Sequence, residues 1–382
     1  MKNTIPLSLY VHIPWCVKKC PYCDFNSHEK NASFDEQRYV TALLADLDNE
    51  YKNCQQRTLS SIFFGGGTPS LFSAEAIYQI IDHARTLFKF DDIEITLEAN
   101  PGTFEQEKFT AFREAGVNRL SIGIQSFNRR LLEILGRIHD NKQALTAVET
   151  AREAGFTDIN LDLMFGLPRQ TIEQAIDDIK TACTFEVAHI SHYQLTIEAN
   201  TYFHKHTPVL PDTDLIWEMQ TQCQSVLEEN KYHQYEISAY SRAGQQCRHN
   251  LNYWHFGDYI GIGAGAHGKL TTRSSDDSTR ILRRWKHRQP RQYIDKMMAG
   301  DTVSGEQVLG QKDILFEFLL NALRLKSGSD IRYFKHHTGL TYDALKAAVG
   351  DIDTSLLSID RESVRTTDKG FLFLNEILED LL

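Results

Sequence analysis

The sequence predicts an α/β chain: a partial TIM-like (β/α)6 barrel followed by a smaller helical and winged C-terminal domain. Three observations carry that expectation. Six short β-rich runs alternate with amphipathic helical patterns between Leu7 and about Thr196, an Arg-Glu-Ala-Gly punctuation occurs twice, and the alternation loosens beyond residue 200. The pattern alone also suits a doubly wound Rossmann sheet. In either architecture, the polar and Gly-rich residues at the carboxyl ends of the strands mark the functional rim.

The runs are Leu7–Pro14, Ser61–Gly65, Glu94–Ala99, Arg119–Gln125, Asp158–Phe165 and His189–Leu195. Several are nearly continuous apolar stretches, as parallel strands covered on both faces require. Val40, Leu43, Leu44, Leu47 and Tyr51 form one helical stripe, and Ile77, Ile80, Ile81, Ala84 and Leu87 form another. Thr103-Phe-Glu-Gln and Thr171-Ile-Glu-Gln read as capping boxes. The repeated Arg113–Gly116 and Arg152–Gly155 each place Gly just past a helix and just before a strand. Farther on, residues 269–304 read as a linker or mobile loop, from a Ser/Asp/Thr-rich stretch and the basic run Arg283, Arg284, Lys286 and Arg288. Asp313–Leu325 reads as an apolar helix, and Ser363–Ile377 as a hairpin turning at Asp368-Lys369-Gly370. The expected domains are therefore 1–268 and 305–382, with 269–304 between them.

Composition narrows the function classes. Hydrophobic residues at 41% and charged residues at 24% describe a globular chain. No apolar run is long enough to span a bilayer and no signal peptide opens the chain, so a cytoplasmic location is expected. A net charge of −10 argues against a general nucleic-acid surface. Seven cysteines without a secretion signal read as reduced, metal-bound or inert thiols rather than a disulfide framework.

Three of the seven, Cys16, Cys20 and Cys23, share one loop after the first strand. Three thiolates can each take one iron of a cubane and leave the fourth iron open to chelate a substrate's amino and carboxylate groups. Three rivals remain at this point. Cys20-Pro-Tyr-Cys23 alone fits a redox dithiol, although Cys16 has no place in that scheme. Zinc would take Asp24 or His28 as a fourth ligand, and buried inert thiols are the plainest alternative.

The spacing C-x-x-x-C-x-x-C resembles the radical S-adenosylmethionine (SAM) superfamily. Tyr10-Val-His-Ile-Pro-Trp-Cys, Gly65-Gly-Gly-Thr-Pro69 and Ile260-Gly-Ile-Gly-Ala-Gly-Ala-His-Gly268 are similar to the branch containing oxygen-independent coproporphyrinogen III oxidase, and within it to the HemW heme chaperones. The resemblance implies a [4Fe–4S] cluster on Cys16, Cys20 and Cys23, and SAM at Tyr10, Gly66, Gly67, Thr68, Glu98, Gln125, Arg137 and Asp162, with Tyr22 as an aromatic neighbour. It also implies heme as cargo and apo-hemoproteins of the respiratory chain as acceptors, with at most peripheral membrane contact. Taken alone, the Gly run is as typical of a tight turn, and each strand-end polar residue as typical of a satisfied structural group.

Two departures weigh against the oxidase activity, a radical oxidative decarboxylation of coproporphyrinogen III. Phe25 stands where the oxidase pattern has a further Cys, and the long segment before the oxidase cluster loop has no counterpart here. Arg248-His249-Asn250-Leu251-Asn252-Tyr253-Trp254 carries the H-N-x-x-Y pattern of heme-handling members of this branch. His249 offers an imidazole to iron, and Tyr253 and Trp254 offer an aromatic wall; Cys247, Tyr253 and His267 are alternative ligands. A surface turn with a hydrogen-bonded His is the competing account of the same residues. C-x-x-C-H is absent, which disfavours covalent c-type attachment. The run Arg283–Arg288 reads either as a propionate receptor or as a solvated face.

Overall fold

A computed structural model describes residues 5–31, 34–54, 57–102, 106–273, 278–301, 303–350 and 352–381. The six expected strands form as β1 Leu7–Ile13, β2 Leu59–Gly66, β3 Glu94–Ala99, β4 Arg119–Gln125, β5 Asp158–Phe165 and β6 His189–Gln194. They pair in parallel and in chain order. Further strands are β7 His233–Glu236, β8 Ala239–Ser241, β9 Asp258–Ile262, β10 His267–Arg273, β11 Thr279–Trp285 and β12 Gly305–Val308. The complete sheet runs β12-β11-β10-β9-β1-β2-β3-β4-β5-β6-β8-β7 and does not close. β9 joins β1 in parallel, so seven parallel strands are flanked by antiparallel ribbons.

Alternation along each strand sorts the two faces. Leu9, Val11, Ile62, Phe64, Leu97, Ile122 and Leu161 are fully buried among the apolar stripes of helices α1 Glu36–Tyr51 and α2 Ala74–Phe88 and their successors. The opposite face is polar and hydrogen-bonds across strands: Ser61 to Ser8, Asn160 to Ser121 and Asp162, and Asn160 to His189. Burial of each strand's apolar half fixes register, and this leaves the inner face free to carry chemistry.

The repeated punctuation is a pair of Schellman ends. Gly116 and Gly155 both adopt positive φ, after helices α3 Phe109–Glu114 and α4 Asn141–Glu153. The next amides, of Val117 and Phe156, each bond back five residues, to Phe112 and Ala151. Thr171 and Gln174 make the expected capping box of α5 Ile172–Thr184, whereas the one expected at Thr103 lies outside the described residues.

Two expectations from the second half are corrected. The stretch read as a linker, 269–304, carries the antiparallel pair β10–β11 and helix α6 Pro290–Met298. Of the four residues in its basic run, three are paired and Arg288 is exposed. Lys286 is 2% exposed and pairs with Asp46 and Glu50, Arg284 meets Glu50 and Glu306, and Arg283 bonds Glu317 and Tyr259. Carboxylates on α1, on β12 and on helix α7 Gln311–Ala322 thus recruit the stretch into the sheet. The hairpin expected to turn at Asp368–Gly370 turns earlier. β13 Ser329–Asp330, β14 Leu357–Ile359 and β15 Ser363–Thr366 form a small sheet, in which the Asp360 carboxylate accepts from the amides of Glu362 and Ser363. Thr367 then caps a helix over Asp368–Leu372, because its hydroxyl accepts from the Gly370 amide. These elements and α7 share a second core, built on Phe318, Phe334, Leu345, Val364 and Ile377.

Candidate cofactor site

The chain leaves β1 at Ile13 and enters the cysteine loop at once. Thr68 donates its amide to the Trp15 carbonyl and Gly67 donates to Ile13, which ties the loop to the end of β2. A Cβ on Gly67 would stand 2.6 Å from the Trp15 carbonyl oxygen, so only glycine permits this approach. Lys19 Nζ closes the loop on itself by donating to the carbonyls of Phe25 and Ser27. Cys23 N bonds Cys20 O at 3.1 Å.

The three thiols are free and half-buried. Arg137 Nη1 stands 3.6 Å from Cys20 Sγ, and Ser27 Oγ stands 3.7 Å from Cys23 Sγ. Burial pushes the Cys16 thiol up to about 11, opposed by a hydrogen bond from the Thr68 hydroxyl, and burial raises Cys23 also. Such thiols ionise readily only beside a cation, which a bound metal supplies. Among the described residues no three His, Cys, Asp or Glu side chains converge as ligands of one ion. A cubane asks instead for one thiolate per iron, and the loop suits that donor set.

The thiols open on a cavity of about 450 Å³ at the carboxyl rim. Its wall includes Cys16, Cys20, Cys23, Tyr22, Gly66, Gly67, Thr68, Glu98, Gln125, Arg137 and Asp162, so the expected residues meet from five successive strand ends. Tyr10 is the exception. It does not line the cavity; its hydroxyl bonds His12 Nδ1 at 3.0 Å, while His12 Nε2 faces the Asn26 carbonyl. Phe25, in place of the oxidase cysteine, is 58% exposed at the mouth.

Two carboxyls lie deep in the wall. Glu98 Oε2 accepts from Gly66 N at 3.1 Å, yet burial first and the nearby Asp162 second push it up to about 8. Burial raises Asp162 as well, against hydrogen bonds from Ser121 and Asn160. The site therefore holds excess proton affinity that a cationic ligand would relieve. Gln125 sits at positive φ, and its Oε1 accepts from Tyr193. Among the wall residues that sequence reasoning missed are Asn100, Ser121 and Tyr193. Each stands two residues from an inward polar strand residue, so strict period-two counting finds them.

His249 lies elsewhere. The short helix Arg248–Trp254 crosses the amino ends of the strands, capped by Glu94, whose carboxylate accepts from the amides of Arg248 and His249. His249 Nδ1 meets Ser61 Oγ at 2.9 Å, and Ser61 precedes the rim residue Gly66 by about 16 Å of strand. The surface turn is thus corrected to a buried plug, 2% exposed, stacked on Phe63 and edge-on to Tyr253. Cys247 is buried against Glu94, while His267 is exposed and stacked on Trp285.

An α/β sheet with a three-cysteine loop over a strand-end cavity defines the radical SAM class. Residues 10–182 match the Radical SAM superfamily model and 309–373 match the HemN C-terminal domain. Coproporphyrinogen III oxidase (HemN) from Escherichia coli superposes with a TM-score of 0.82 over 99% of this chain and 90% of that one, at 22% identity, which shows the shared fold. Heme chaperone HemW of Haemophilus influenzae is 47% identical over 99% of this chain and 98% of its own. That of Escherichia coli is 46% identical over 98% and 97%. The chain belongs to the family of HemW heme chaperones. Its radical SAM domain brings with it a [4Fe–4S] cluster and SAM.

Proposed function

We propose that this chain is a heme chaperone that holds a [4Fe–4S] cluster through Cys16, Cys20 and Cys23 and delivers heme to apo-hemoproteins of the respiratory chain. The carrying observation is the convergence of the cysteine loop with Gly66, Gly67, Thr68, Glu98, Gln125, Arg137 and Asp162 on one cavity, in a chain similar from end to end to proteins named heme chaperones. The cluster supplies an open iron for the amino and carboxylate groups of SAM. The chain's own residues do the rest. Gly66 and Gly67 allow backbone approach, Glu98 and Asp162 offer anionic oxygens to a cation, and Tyr22 and Gln125 flank the ligand; Tyr10 supports the floor from below through His12.

Heme ligation falls to His249. The Ser61 hydroxyl donates onward to Ser8, so it accepts from His249 Nδ1 and leaves Nε2 unprotonated, with no hydrogen-bond partner among the described residues. Burial holds the imidazole neutral, lowering it to about 3, and neutral imidazole is the form that binds iron. Heme reaches this nitrogen when the Arg248–Trp254 helix lifts from the strand ends, bringing Tyr253 with it. The protein works in the cytoplasm, and contact with a membrane is peripheral; among the described residues no helix is long and apolar enough to cross one.

Anaerobic reconstitution followed by heme titration tests the proposal. About four irons per chain are expected, lost on Cys16→Ser, Cys20→Ser or Cys23→Ser and kept on Cys54→Ser, Cys183→Ser or Cys223→Ser. Stoichiometric heme binding should accompany inactivity towards coproporphyrinogen III. Zinc in place of iron, or substantial protoporphyrinogen production, overturns the assignment.

A further inference from the structure

Asn100 joins Arg137, which faces one cluster thiol, and Thr68, which neighbours another along the cavity wall, into one hydrogen-bonded chain. Its Nδ2 donates to Thr68 Oγ1 at 3.1 Å, and its Oδ1 accepts from Arg137 Nη2 at 2.6 Å. The orientation of the amide is not free. A guanidinium only donates, so the oxygen of Asn100 must face it and the NH2 group must face Thr68. The Thr68 hydroxyl, having accepted from Asn100, keeps its own proton for a further acceptor. Cys16 and Thr68 both line the cavity, the Thr68 amide is bonded to the Trp15 carbonyl, and the hydroxyl opposes the rise that burial imposes on the Cys16 thiol. At the other end, Arg137 is held by Asn100 and by the Gly123 carbonyl at 2.8 Å, and this aims Nη1 at Cys20 Sγ, 3.6 Å away.

We propose that Asn100 is a positioning residue that sets the reduction potential of the cluster, by fixing Thr68 as a donor to Cys16 and Arg137 as a donor to Cys20. The inference rests on the reading that Cys16, Cys20 and Cys23 hold the cluster. Reduction adds one electron, taken from an external reductant, to a cluster bound by anionic thiolates. Hydrogen bonds to those sulfurs and a fixed positive charge stabilise the reduced form more than the oxidised form, and so raise the potential. Asn100 is half-buried at the end of β3 and belongs to neither apolar core, so replacing it spares the fold.

The test uses the full-length chain, reconstituted with iron and sulfide and titrated with dithionite without SAM, the reduced cluster being followed by electron paramagnetic resonance. For Asn100→Ala at unchanged iron content, the reduced-to-oxidised ratio at a fixed potential should fall about tenfold, a midpoint about 59 mV lower for a one-electron couple. Arg137→Met should lower it further. Asn100→Asp should also lower it, because a carboxylate draws the Thr68 proton away from Cys16. A structural role limited to holding SAM would leave these SAM-free midpoints where they are in wild type, and that result overturns the proposal. Should Asn100→Ala retain too little iron, Thr68→Ser against Thr68→Val decides. The serine variant should keep the wild-type midpoint and the valine variant should fall; equal midpoints refute the inference. A wild-type chain that assembles no cubane defeats the cluster reading itself, a distinguishable failure.

Discussion

Replacing Glu98 by Gln should abolish a proton release that accompanies SAM binding. Burial and Asp162 lift the Glu98 carboxyl to about 8. At pH 7 it therefore keeps its proton in roughly ten of eleven empty molecules, and at pH 9 in about one of eleven. A sulfonium cation entering the wall favours the carboxylate, so binding at pH 7 should expel about 0.9 proton from this group and at pH 9 about 0.1. The same equilibrium sets affinity. The competent ionised fraction grows about fifty-fold between pH 6 and pH 8 and less than twofold above it, so binding tightens as pH rises and then levels. The sign follows from the raised pKa: the proton must leave for the carboxylate to act, and low pH opposes that. Calorimetry of cluster-loaded protein in buffers of different ionisation enthalpy reads the release. The amine of SAM also titrates, equally in both proteins, so the wild-type minus Glu98→Gln difference isolates the carboxyl. A difference near zero at pH 7, or one that grows towards pH 9, would refute the reasoning.

Three further perturbations follow from contacts in the structure. Gly67→Ala places a methyl 2.6 Å from the Trp15 carbonyl and 2.9 Å from Pro14 C, both backbone; reconstituted iron should drop well below four per chain while the far-ultraviolet circular dichroism stays wild type. His249→Ala removes the Phe63 stack and the Ser61 bond, at a stability cost of about 2–3 kcal/mol, and should shift or remove the Soret band of heme-loaded protein. An unchanged band assigns the axial position to another side chain. Lys286→Met leaves Asp46 buried without its cation and Glu50 with Arg284 alone, and should lower stability by about 3–5 kcal/mol in denaturant titrations with little change in cluster absorbance.

The strands, the helix ends and the cysteine loop were legible because each is written in local pattern. Leu7–Ile13 and Asp158–Phe165 carry an apolar residue at every second position, Gly116 and Gly155 stand where only a left-handed residue ends the helix, and Cys16–Cys23 lie in one loop. The second half was less legible because its order comes from distant partners. Lys286 is separated from Asp46 by 240 positions, and nothing near Lys286 in the sequence announces a buried carboxylate pair. His249 failed as a surface turn for the same reason: its cap is Glu94, 155 residues earlier. Asn100 was overlooked for a different reason. Its neighbour Pro101 suggests a strand stop, yet the side chain still faces the rim two residues after Glu98.

The glycine motif Ile260–Gly268 shows how a resemblance and a contact can point to different work. Its glycines suit close approach to a cofactor, but the structure spends them on the loop that holds the cysteines. Gly263 adopts positive φ, and a Cβ there would stand 2.4 Å from the His12 carbonyl; a Cβ on Gly265 would stand 2.5 Å from Asn26 Nδ2. That Asn26 amide donates to the carbonyls of Ala264 and Arg288, while Tyr39 donates to His12 O and accepts from Ala264 N. Asn26 stands three residues after Cys23, so the loop's far end is pinned by chain some 240 positions away. β9, β10 and β11 therefore do more than widen the sheet. The chain flanking them holds Asn26, so the setting of the cysteine loop draws on the second half of the chain as well as on the segment that carries it.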